Sequence, residues 1–480
     1  MPAGANNMPQ KVFIFAAETN SSDSFLCMYK CVKAGLLDAM LTYCPPQAAT
    51  AAVQSLPSLN DPLFAAVPVR HGSYAPAAAL SVVLYRSIDD LGVEWDHLSL
   101  RSGNLFLQRH FLAAVEQAPP EGLRQRYLVF FDRHQPVGLA LLQVKHFVAS
   151  ESLRDQEREK ETCFFAGLAQ WFKKRVSNWA EADIMICGNM LLTGAHGYWF
   201  DPSVPQSVQA RSLYDGLQAA VGQINAQDGI DIAMILVKDI PAGDEPVTGR
   251  FLEQKQFTAF EIQPNMVLDL APFSDFEGYL DAMTTKYRTR AKRAFKKLNG
   301  IEKRTLSLNE VAQYGPRLYQ LYREVANNAG FNMVDLHPDY FRTLAEKMPE
   351  SYQIDAYFLN GQLVSYYTTI KNGPELEAHF LGYDKAYNHD YQLYLNMLYD
   401  MVQRAFDTGC TEVIFARTAL EIKSSVGAAP VGCHCYLRHQ NNIVNRFTGN
   451  ILDYLKPVEE WQQRHPFKHA QPEGVNIEIA

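Results

Sequence analysis

The chain has 480 residues, of which 47% are apolar and 20% charged, and its formal net charge is −8. This length predicts roughly two or three domains, and the composition is that of a globular protein with a sizeable core. The acidic balance argues against DNA binding, because general affinity for nucleic acid needs clustered positive charge facing phosphates.

The first 80 residues predict a strand at 11–17, a helix at 23–42 and a Pro- and Ala-rich loop at 44–79. The apolar run from Val12 to Ala17 lacks the basic start and long hydrophobic core of a secretory signal. No segment approaches the ~20 consecutive apolar residues of a membrane-spanning helix. We therefore expect a cytoplasmic protein without integral membrane association. The role of this N-terminal segment is not predicted.

The cysteines are scattered along the chain without a CxxC motif, which favours reduced, buried thiols over a disulfide framework. Cys433, His434 and Cys435 lie near His439, but on a strand the two cysteines face one side and His434 the other. The spacing also differs from that of known zinc sites, so no metal is expected.

The chain repeats a pattern of hairpin, helix and strand. Residues 129–144 and 355–370 each contain two apolar strands around a polar turn. Each hairpin is followed by a helix that contains the string Leu-Tyr-Asp-x-x-Gln. The string starts at Leu213 in the first helix and at Leu398 in the second, and an apolar strand follows each helix. This recurrence predicts a tandem duplication. The expected divisions are an extension at 1–80, a first domain at 81–270, a second domain at 271–447 and a tail at 448–480.

Three passages of the second half carry a family pattern. They are the basic helix at 279–298, the helical passage at 317–348, and a closing pattern that includes Arg417, Lys423 and Gly427. Together they resemble the FemAB-like, BioF2-like branch of the GNAT superfamily. The resemblance implies an α/β (α+β) fold of two tandem GNAT-like domains, each a mixed, mostly antiparallel sheet flanked by helices. It also implies an N-acyltransferase with acyl-CoA or acetyl-CoA as donor and an active second domain. Because a duplicated domain commonly keeps one working site, the first domain is expected to be a scaffold.

The turn before the central helix departs from the usual GNAT pattern. Ordinary GNAT enzymes hold the cofactor pyrophosphate on free backbone N–H groups of a glycine-containing loop at this place. Residues 384–394 read DKAYNHDYQLY, without a glycine. Side chains hinder the approach of the backbone to a ligand, so binding of coenzyme A by the usual route is in question.

The strand before this turn carries the candidate catalytic residues Glu377, His379 and Tyr383. Amide-forming acyl transfer needs a route for the proton of the amine and donors for the developing oxyanion. Glu377 and His379 point to one face of a strand, so the carboxylate is expected to orient the imidazole as a base. Tyr383 is a candidate general acid or donor. The alternative is that these groups only satisfy core or surface hydrogen bonds.

Four side chains of the turn are candidates for contact with the cofactor, namely Tyr387, Asn388, Tyr391 and Gln392. They lie where the central helix begins, and its first N–H groups could hold a phosphate or the amide arm of the cofactor. Asn388 or Asp390 is alternatively the N-cap of that helix. The capping role and the ligand role are compatible.

Lys286, Arg290 and Arg293 recur at helical spacing, with Ala and aromatic residues on another face. This pattern predicts an amphipathic helix whose positive face binds coenzyme A phosphates, an acidic precursor or a tRNA end, or is simply solvated. Arg417 and Lys423 could meet a phosphate or carboxylate of a substrate, or form structural ion pairs.

We therefore expect an acyltransferase that moves an acyl or aminoacyl group to an amine on an envelope precursor, a lipid or a small metabolite. A Fem-type transferase that uses aminoacyl-tRNA is one alternative, against which stands the lack of a long heptad-bearing arm in the second domain. A non-catalytic binding module with a decayed cofactor loop is another. In the first half, His196, Tyr198 and Trp199 are expected to belong to the scaffold.

Overall fold

The computed structural model describes residues 80–148, 181–240, 242–327, 334–455 and 461–468. The strand and the helix predicted within the first 80 residues lie outside these ranges, as do the cysteines at positions 27, 31, 44 and 163. Within them, four cysteines are buried and carry free thiols: Cys187, Cys410, Cys433 and Cys435.

The first half of the described chain builds strands and helices in alternation. Its strands are β1 (Ser81–Tyr85), β2 (Leu123–Asp132), β3 (Gln135–Val148), β4 (Glu181–Cys187), β5 (Tyr198–Phe200), β6 (Ile232–Ile240), β7 (Thr258–Glu261) and β8 (Asn265–Asp269). Its helices are α1 (Val93–Arg101), α2 (Arg109–Gln117), α3 (Gln206–Asp228) and α4 (Arg250–Gln254).

The second half repeats this alternation. Its strands are β9 (Ile301–Thr305), β10 (Tyr352–Leu359), β11 (Gln362–Asn372), β12 (Glu375–Tyr383), β13 (Glu412–Ile414), β14 (Ala429–Val431) and β15 (His434–His439). Its helices are α5 (Phe276–Ala282), α6 (Thr285–Lys297), α7 (Leu308–Ala326), α8 (Tyr340–Lys347), α9 (Lys385–Tyr391), α10 (Leu393–Asp407), α11 (Leu420–Ser425), α12 (Asn442–Asn445) and α13 (Thr448–Leu455).

Local sequence signals explain several of these boundaries. Asn360 and Gly361 connect β10 to β11 with φ angles of 51° and 78°, which is the left-handed backbone that an Asn-Gly hairpin turn requires. Helix α10 ends just before Gly409, whose φ is 69°, as expected for a glycine that follows a helix C-terminus. Helix α7 begins with a capping box between Ser307 and Glu310. Both predicted hairpins are confirmed.

The two sheets have the same strand order. The first runs β1-β2-β3-β4-β6-β15-β7, with β5 on β3, and the second runs β9-β10-β11-β12-β13-β8-β14. Each contains one parallel pair, β4 with β6 and β12 with β13, among antiparallel neighbours. Helices flank both sheets. The predicted fold class, two tandem mixed and mostly antiparallel sheets, is confirmed.

Each sheet is completed by a strand from the other half. Strand β8, which ends the first half, lies between β13 and β14 in the second sheet. Strand β15, near the end of the second half, lies between β6 and β7 in the first sheet. The exchange is reciprocal, because β8 and β15 occupy the same place in the two strand orders. The domain divisions at 81–270 and 271–447 remain predictions, and this exchange crosses them.

A shared core joins the two halves. It contains large buried side chains of both, among them Trp95 and Phe111 from the first half and Tyr340 and Phe341 from the second. Burial of each such side chain stabilises the fold by about 1.5–3 kcal/mol. Separating the halves would therefore expose a large apolar surface.

Candidate functional site

Strands β12 and β13 diverge at a defined point. Their parallel pairing covers Glu375 to Glu377 on β12 and Glu412 to Ile414 on β13. Beyond Ile414 the chain keeps only its pairing with β8, where the N–H of Phe415 donates to the carbonyl oxygen of Met266 at 2.8 Å. The divergence places the polar end of β12 beside the segment that follows β13.

The segment after β13 has an unusual backbone. Ala416, Thr418 and Ala419 have φ angles of 57°, 70° and 49°. Residues other than glycine rarely adopt positive φ, and such strain concentrates at functional sites. The segment from 415 to 419, which we call the strained segment, is therefore a candidate part of the site.

A β-bulge marks β12 at the same level. Strand β11 pairs Thr369 with Ala378 and Tyr367 with Leu381, so His379 and Phe380 together oppose Thr368. The Thr368 hydroxyl fills the irregularity, since its Oγ1 accepts from the N–H of Phe380 at 3.0 Å and donates to the Phe380 carbonyl at 2.9 Å. Bulges re-aim side chains next to active sites.

Glu377 is the last residue of β12 that pairs with β13, and it is 2% exposed. Its Oε1 lies 3.7 Å from Nε2 of His196, a buried residue of the first half. Burial raises the pKa of Glu377, and the nearby His196 opposes that rise. A carboxyl with a raised pKa at this position is suited to take and return a proton near neutral pH.

His379 is held by a different partner from the one expected. Its Nε2 lies 2.8 Å from the hydroxyl oxygen of Tyr340 in α8, and its ring packs edge-on against Phe380. Burial lowers the pKa of His379 to about 3, so the imidazole is neutral and a weak base. Its Nδ1 is buried and makes no hydrogen bond to the described residues.

The turn after β12 is a short helix, α9, and its side chains are used within the protein. Asp384 caps α9 by accepting from the N–H of Ala386 at 3.0 Å, and Asn388 Oδ1 accepts from the N–H of Tyr394 in α10 at 3.0 Å. Asn388 thus satisfies an N–H of the central helix from within α9, whereas the N-cap position is Gln392 and not Asn388 or Asp390 as predicted. Gln392 joins the two helices with a φ of 49°.

The remaining tyrosines of this region lie at the edge of the core. Tyr383 and Tyr387 pack against the apolar cluster around α10, and the ring of Tyr391 contacts that of Tyr387 at 6.3 Å between centroids. Burial raises the pKa of Tyr383, so its phenol stays protonated and able to donate.

Arg417 is part of a buried charge cluster between the halves. Its guanidinium pairs with Asp239 of β6, and Lys238 pairs with the same carboxylate. Burial alone would raise the pKa of Asp239, but Lys238 and Arg417 lower it to about 2. Arg417 Nε also donates to the carbonyl oxygen of Gln263 at 2.8 Å. Arg417 is therefore already paired and belongs to the frame of the site.

Lys423 in α11 forms hydrogen bonds to the backbone of the strained segment. Its Nζ donates to the carbonyl oxygens of Ala416 at 3.2 Å and Arg417 at 2.6 Å. Burial lowers the pKa of Lys423 to about 7. These bonds hold the backbone between β13 and α11 in its positive-φ conformation.

The basic helix predicted from the sequence is α6. Ala291 and Ala294 are fully buried, and the Ala294 carbonyl oxygen accepts from Nδ2 of Asn396 in α10 at 3.0 Å. Another face is exposed and carries four of its cations: Lys286, Arg290, Arg293 and Lys297. The helix therefore presents positive charge beside the start of α10.

Arg290 also lines a cavity of about 370 Å³. The other walls come from α11 with the strained Ala419, and from the 461–468 segment through Trp461 and Arg464. Arg464 is paired with Glu421. Because the charge of Arg464 is balanced by Glu421, the net positive charge of the cavity lining comes from Arg290.

Three of the residues that build the site were not predicted from the sequence. His196 was expected only as scaffold, and Tyr340 and Asp239 were not considered. Tyr340 and Asp239 carry no motif, because their importance comes from contacts between segments distant in the chain. The string Thr-Gly-Ala-His-Gly around His196 was the available signal, since glycines on both sides of a histidine indicate a tight turn.

Residues 285–424 match the family model described as an acetyltransferase (GNAT) domain. This segment runs from α6 to α11 and contains β12, β13 and the strained segment. The matched part of the second half is thus similar to a GNAT acetyltransferase domain, and the resemblance to that superfamily predicted from the sequence is confirmed. No curated protein matches the chain.

Several solved structures are similar to this chain. FemX shares 12% identity over 77% of this chain and 100% of its own, with a TM-score of 0.47. A tandem GNAT protein from the clavulanic acid biosynthesis pathway shares 11% identity over 75% of this chain and 98% of its own, with a TM-score of 0.42. The L-PGS of Bacillus licheniformis shares 13% identity over 71% and 95%, with a TM-score of 0.36.

Within the part of the chain that the structure describes, no three His, Cys, Asp or Glu side chains are grouped so as to hold a metal ion. In the same residues, no helix has both the length and the apolar character needed to cross a bilayer.

Proposed function

We propose that the second half transfers an acyl or aminoacyl group from a thioester or ester donor, most simply acyl-CoA, to an amine acceptor. The observation that carries this proposal is the position of Glu377 at the point where β12 and β13 of a GNAT domain diverge. A buried carboxyl with a raised pKa stands there beside a strained backbone segment. That combination is suited to proton transfer at a bound amine.

In the proposed reaction the neutral amine attacks the carbonyl carbon of the donor. The C–N bond forms, the carbonyl oxygen takes negative charge, and the amine proton passes to Glu377. Collapse of the intermediate breaks the bond to the leaving thiolate or alkoxide, which takes a proton back from Glu377. The amide product and the free thiol or alcohol then leave.

His379 is assigned a donor role in this proposal. Tyr340 has a pKa well above its usual range because it is buried, so its hydroxyl keeps its proton and can donate to Nε2 of the neutral His379. The imidazole then carries its proton on Nδ1, which has no partner among the described residues. An unused N–H is suited to stabilise the developing oxyanion. Tyr383 is a second candidate donor.

The donor phosphates are assigned to α6 instead of the turn. Asn388 already occupies the N–H of Tyr394, and helix α9 fills the place of a glycine loop. Lys286, Arg290 and Arg293 lie exposed on the neighbouring helix. Tyr387, Tyr391 and Gln392 border the path between this cationic face and β12. Arg417 and Lys423 hold the strained segment.

The exposed cationic face of α6 and the lack of a glycine loop also support a second candidate function. A donor attached to RNA, such as aminoacyl-tRNA, would need an exposed cationic surface and no pyrophosphate loop. The acceptor in both cases is an amine on a small metabolite, a lipid or an envelope precursor.

Thermal unfolding with coenzyme A, acetyl-CoA, long-chain acyl-CoA and aminoacyl-tRNA tests the donor. A ligand at about 100 times its Kd stabilises the folded protein by about 2.7 kcal/mol. Stabilisation by an acyl-CoA, followed by label transfer to an amine that Glu377→Gln abolishes, is the expected result. Stabilisation by aminoacyl-tRNA alone would favour the second candidate. Binding without transfer to any amine would indicate a binding module instead, and no stabilisation by any donor would reject both enzymes.

A further inference from the structure

His196 and Glu377 meet across the two halves of the chain. Their side chains are 7% and 3% exposed, and Nε2 of His196 lies 3.7 Å from Oε1 of Glu377. This distance is slightly longer than a hydrogen bond, and catalytic contacts of this kind commonly tighten when substrate binds. A histidine of the first half is therefore placed against the proposed base of the second.

The neighbours of His196 fix its orientation and tautomer. Asn104 Oδ1 accepts from the N–H of Phe106 at 3.1 Å, which leaves Asn104 Nδ2 facing Nδ1 of His196 at 3.0 Å. An amide nitrogen can only donate, so Nδ1 of His196 accepts. The proton of the neutral ring is then on Nε2, directed to Glu377. The ring of Phe106 packs edge-on against the imidazole at 4.7 Å.

The other charged groups near Glu377 are Glu375, which acts to raise its pKa, and Lys238, which acts to lower it. Glu375 is held by Asn372, whose Nδ2 donates to Glu375 Oε2 at 3.0 Å. Asn372 in turn accepts from the N–H of Leu105 at 2.8 Å. The segment that orients His196 thus also anchors the start of β12.

We propose that His196 is a positioning residue that donates Nε2–H to Glu377 and stabilises its ionised form, so that the first half takes part in catalysis. This inference rests on the proposed function, in which Glu377 accepts the proton of the amine. His196 keeps its own proton throughout and only the Glu377 carboxyl is protonated and deprotonated. The first half then has a role besides that of scaffold.

Replacing His196 with Leu removes the donor and should raise the pKa of Glu377 further. The carboxylate form, which is the base, would then exist only at higher pH. The acid limb of kcat/KM should move to higher pH, with a loss of about tenfold for each unit of displacement below the limb and little loss above it. His196→Gln, which retains an N–H donor, should restore part of the displacement.

The titration of the Glu377 carboxyl can be measured independently of enzyme activity, by 13C NMR of the protein with labelled glutamate. The signal of Glu377 is identified as the one missing from the spectrum of Glu377→Gln. An upward shift in His196→Leu supports the inference, and an unchanged Glu377 titration overturns it. If His196→Leu does not fold, Asn104→Leu tests the same donor one contact away. His146→Leu, which removes an exposed histidine beside Asp183 in the same half, should shift neither the titration nor the acid limb.

Different results would reject the proposed function and the role of His196. A wild type that transfers no acyl group from any donor would reject the proposed function. An active wild type whose acid limb stays fixed in His196→Leu, with kcat/KM lowered equally at every pH, would leave that function standing and reject the role of His196.

Discussion

Asn388 Oδ1 accepts a hydrogen bond from the N–H of Tyr394 at 3.0 Å. A side chain of α9 therefore satisfies one of the first N–H groups of the central helix α10. In a glycine-containing loop this N–H would be free to face a phosphate. In this protein the N–H of Tyr394 is already used within the molecule.

Asn388→Ala should lower the free energy of unfolding by about 1 kcal/mol, because one of the first N–H groups of α10 loses its acceptor. It should change donor affinity less than about threefold, a small effect on the scale where 1.4 kcal/mol is tenfold, since α6 is assigned the phosphates. Asn441→Ala is a matched control, because Asn441 caps α12 by accepting from the N–H of Ile443 at 2.9 Å. A large change in donor affinity for Asn388→Ala, without one for Asn441→Ala, would indicate that the donor phosphates bind at the turn and not at α6.

Replacing Lys286, Arg290 and Arg293 together with Gln should weaken binding of the phosphate-bearing donor. For an RNA donor, each lost phosphate contact should reduce the slope of log K against log salt by about 1. Isothermal titration at several salt concentrations measures both quantities.

The control for the basic face removes three exposed cations from other helices: Arg211, Arg342 and Lys347. It changes the net charge equally. If both triple variants lost affinity to the same extent, the effect would be one of overall charge, and α6 would be a solvated face.

His379 should make stability depend on pH. Its pKa of about 3 in the folded protein lies below the ordinary value near 6.5. The unfolded chain therefore binds a proton at higher pH than the folded one, and the free energy of unfolding should fall as pH falls from about 6.5 towards 3. His379→Gln should flatten this part of the profile in urea unfolding, whereas His146→Gln should not. Identical profiles for wild type and His379→Gln would contradict the buried, neutral imidazole.

Arg417→Ala should destabilise the protein by about 1.5–3 kcal/mol, because the buried Asp239 carboxylate would lose a charged hydrogen-bond partner and keep only Lys238. Arg211→Ala, which removes an exposed i,i+4 pair with Asp215, should cost less than about 0.5 kcal/mol. Urea unfolding compares the two. Equal losses would mean that the pair between the halves contributes no more than a surface pair.

A break in the chain between residues 271 and 274 should give two fragments that fold only together. The first would carry β8, which the second sheet needs, and the second would carry β15, which the first sheet needs. Each fragment alone should lack cooperative unfolding by circular dichroism, and mixing should restore it. A stable, folded second fragment by itself would contradict the importance of the exchange.

The sequence was sufficient for elements whose signals are local. The Asn360-Gly361 turn, the glycine after α10 and the amphipathic pattern of α6 each depend on neighbours within one or two helical turns. The strand exchange could not be predicted in this way, because the alternation of β8 favours a strand without indicating which sheet it joins.

The site shows the same division. Period-2 alternation places Glu377 and His379 on one face, but it cannot indicate that a bulge separates their surroundings or that His196 and Tyr340 are their partners. These partners are 181 and 39 residues away in the chain. Contacts over such separations come from the tertiary fold alone.

The exchanged strands also determine how the molecule can open. Only residues 262–264 connect β7 to β8, and only residues 432–433 connect β14 to β15. These two short connections cross between the sheets in opposite directions. Rocking of one half against the other would shear paired strands, so a donor and an acceptor must enter through movements of loops and side chains. Exchange of product would then be gated by the strained segment and α9, and its rate should respond to substitutions there.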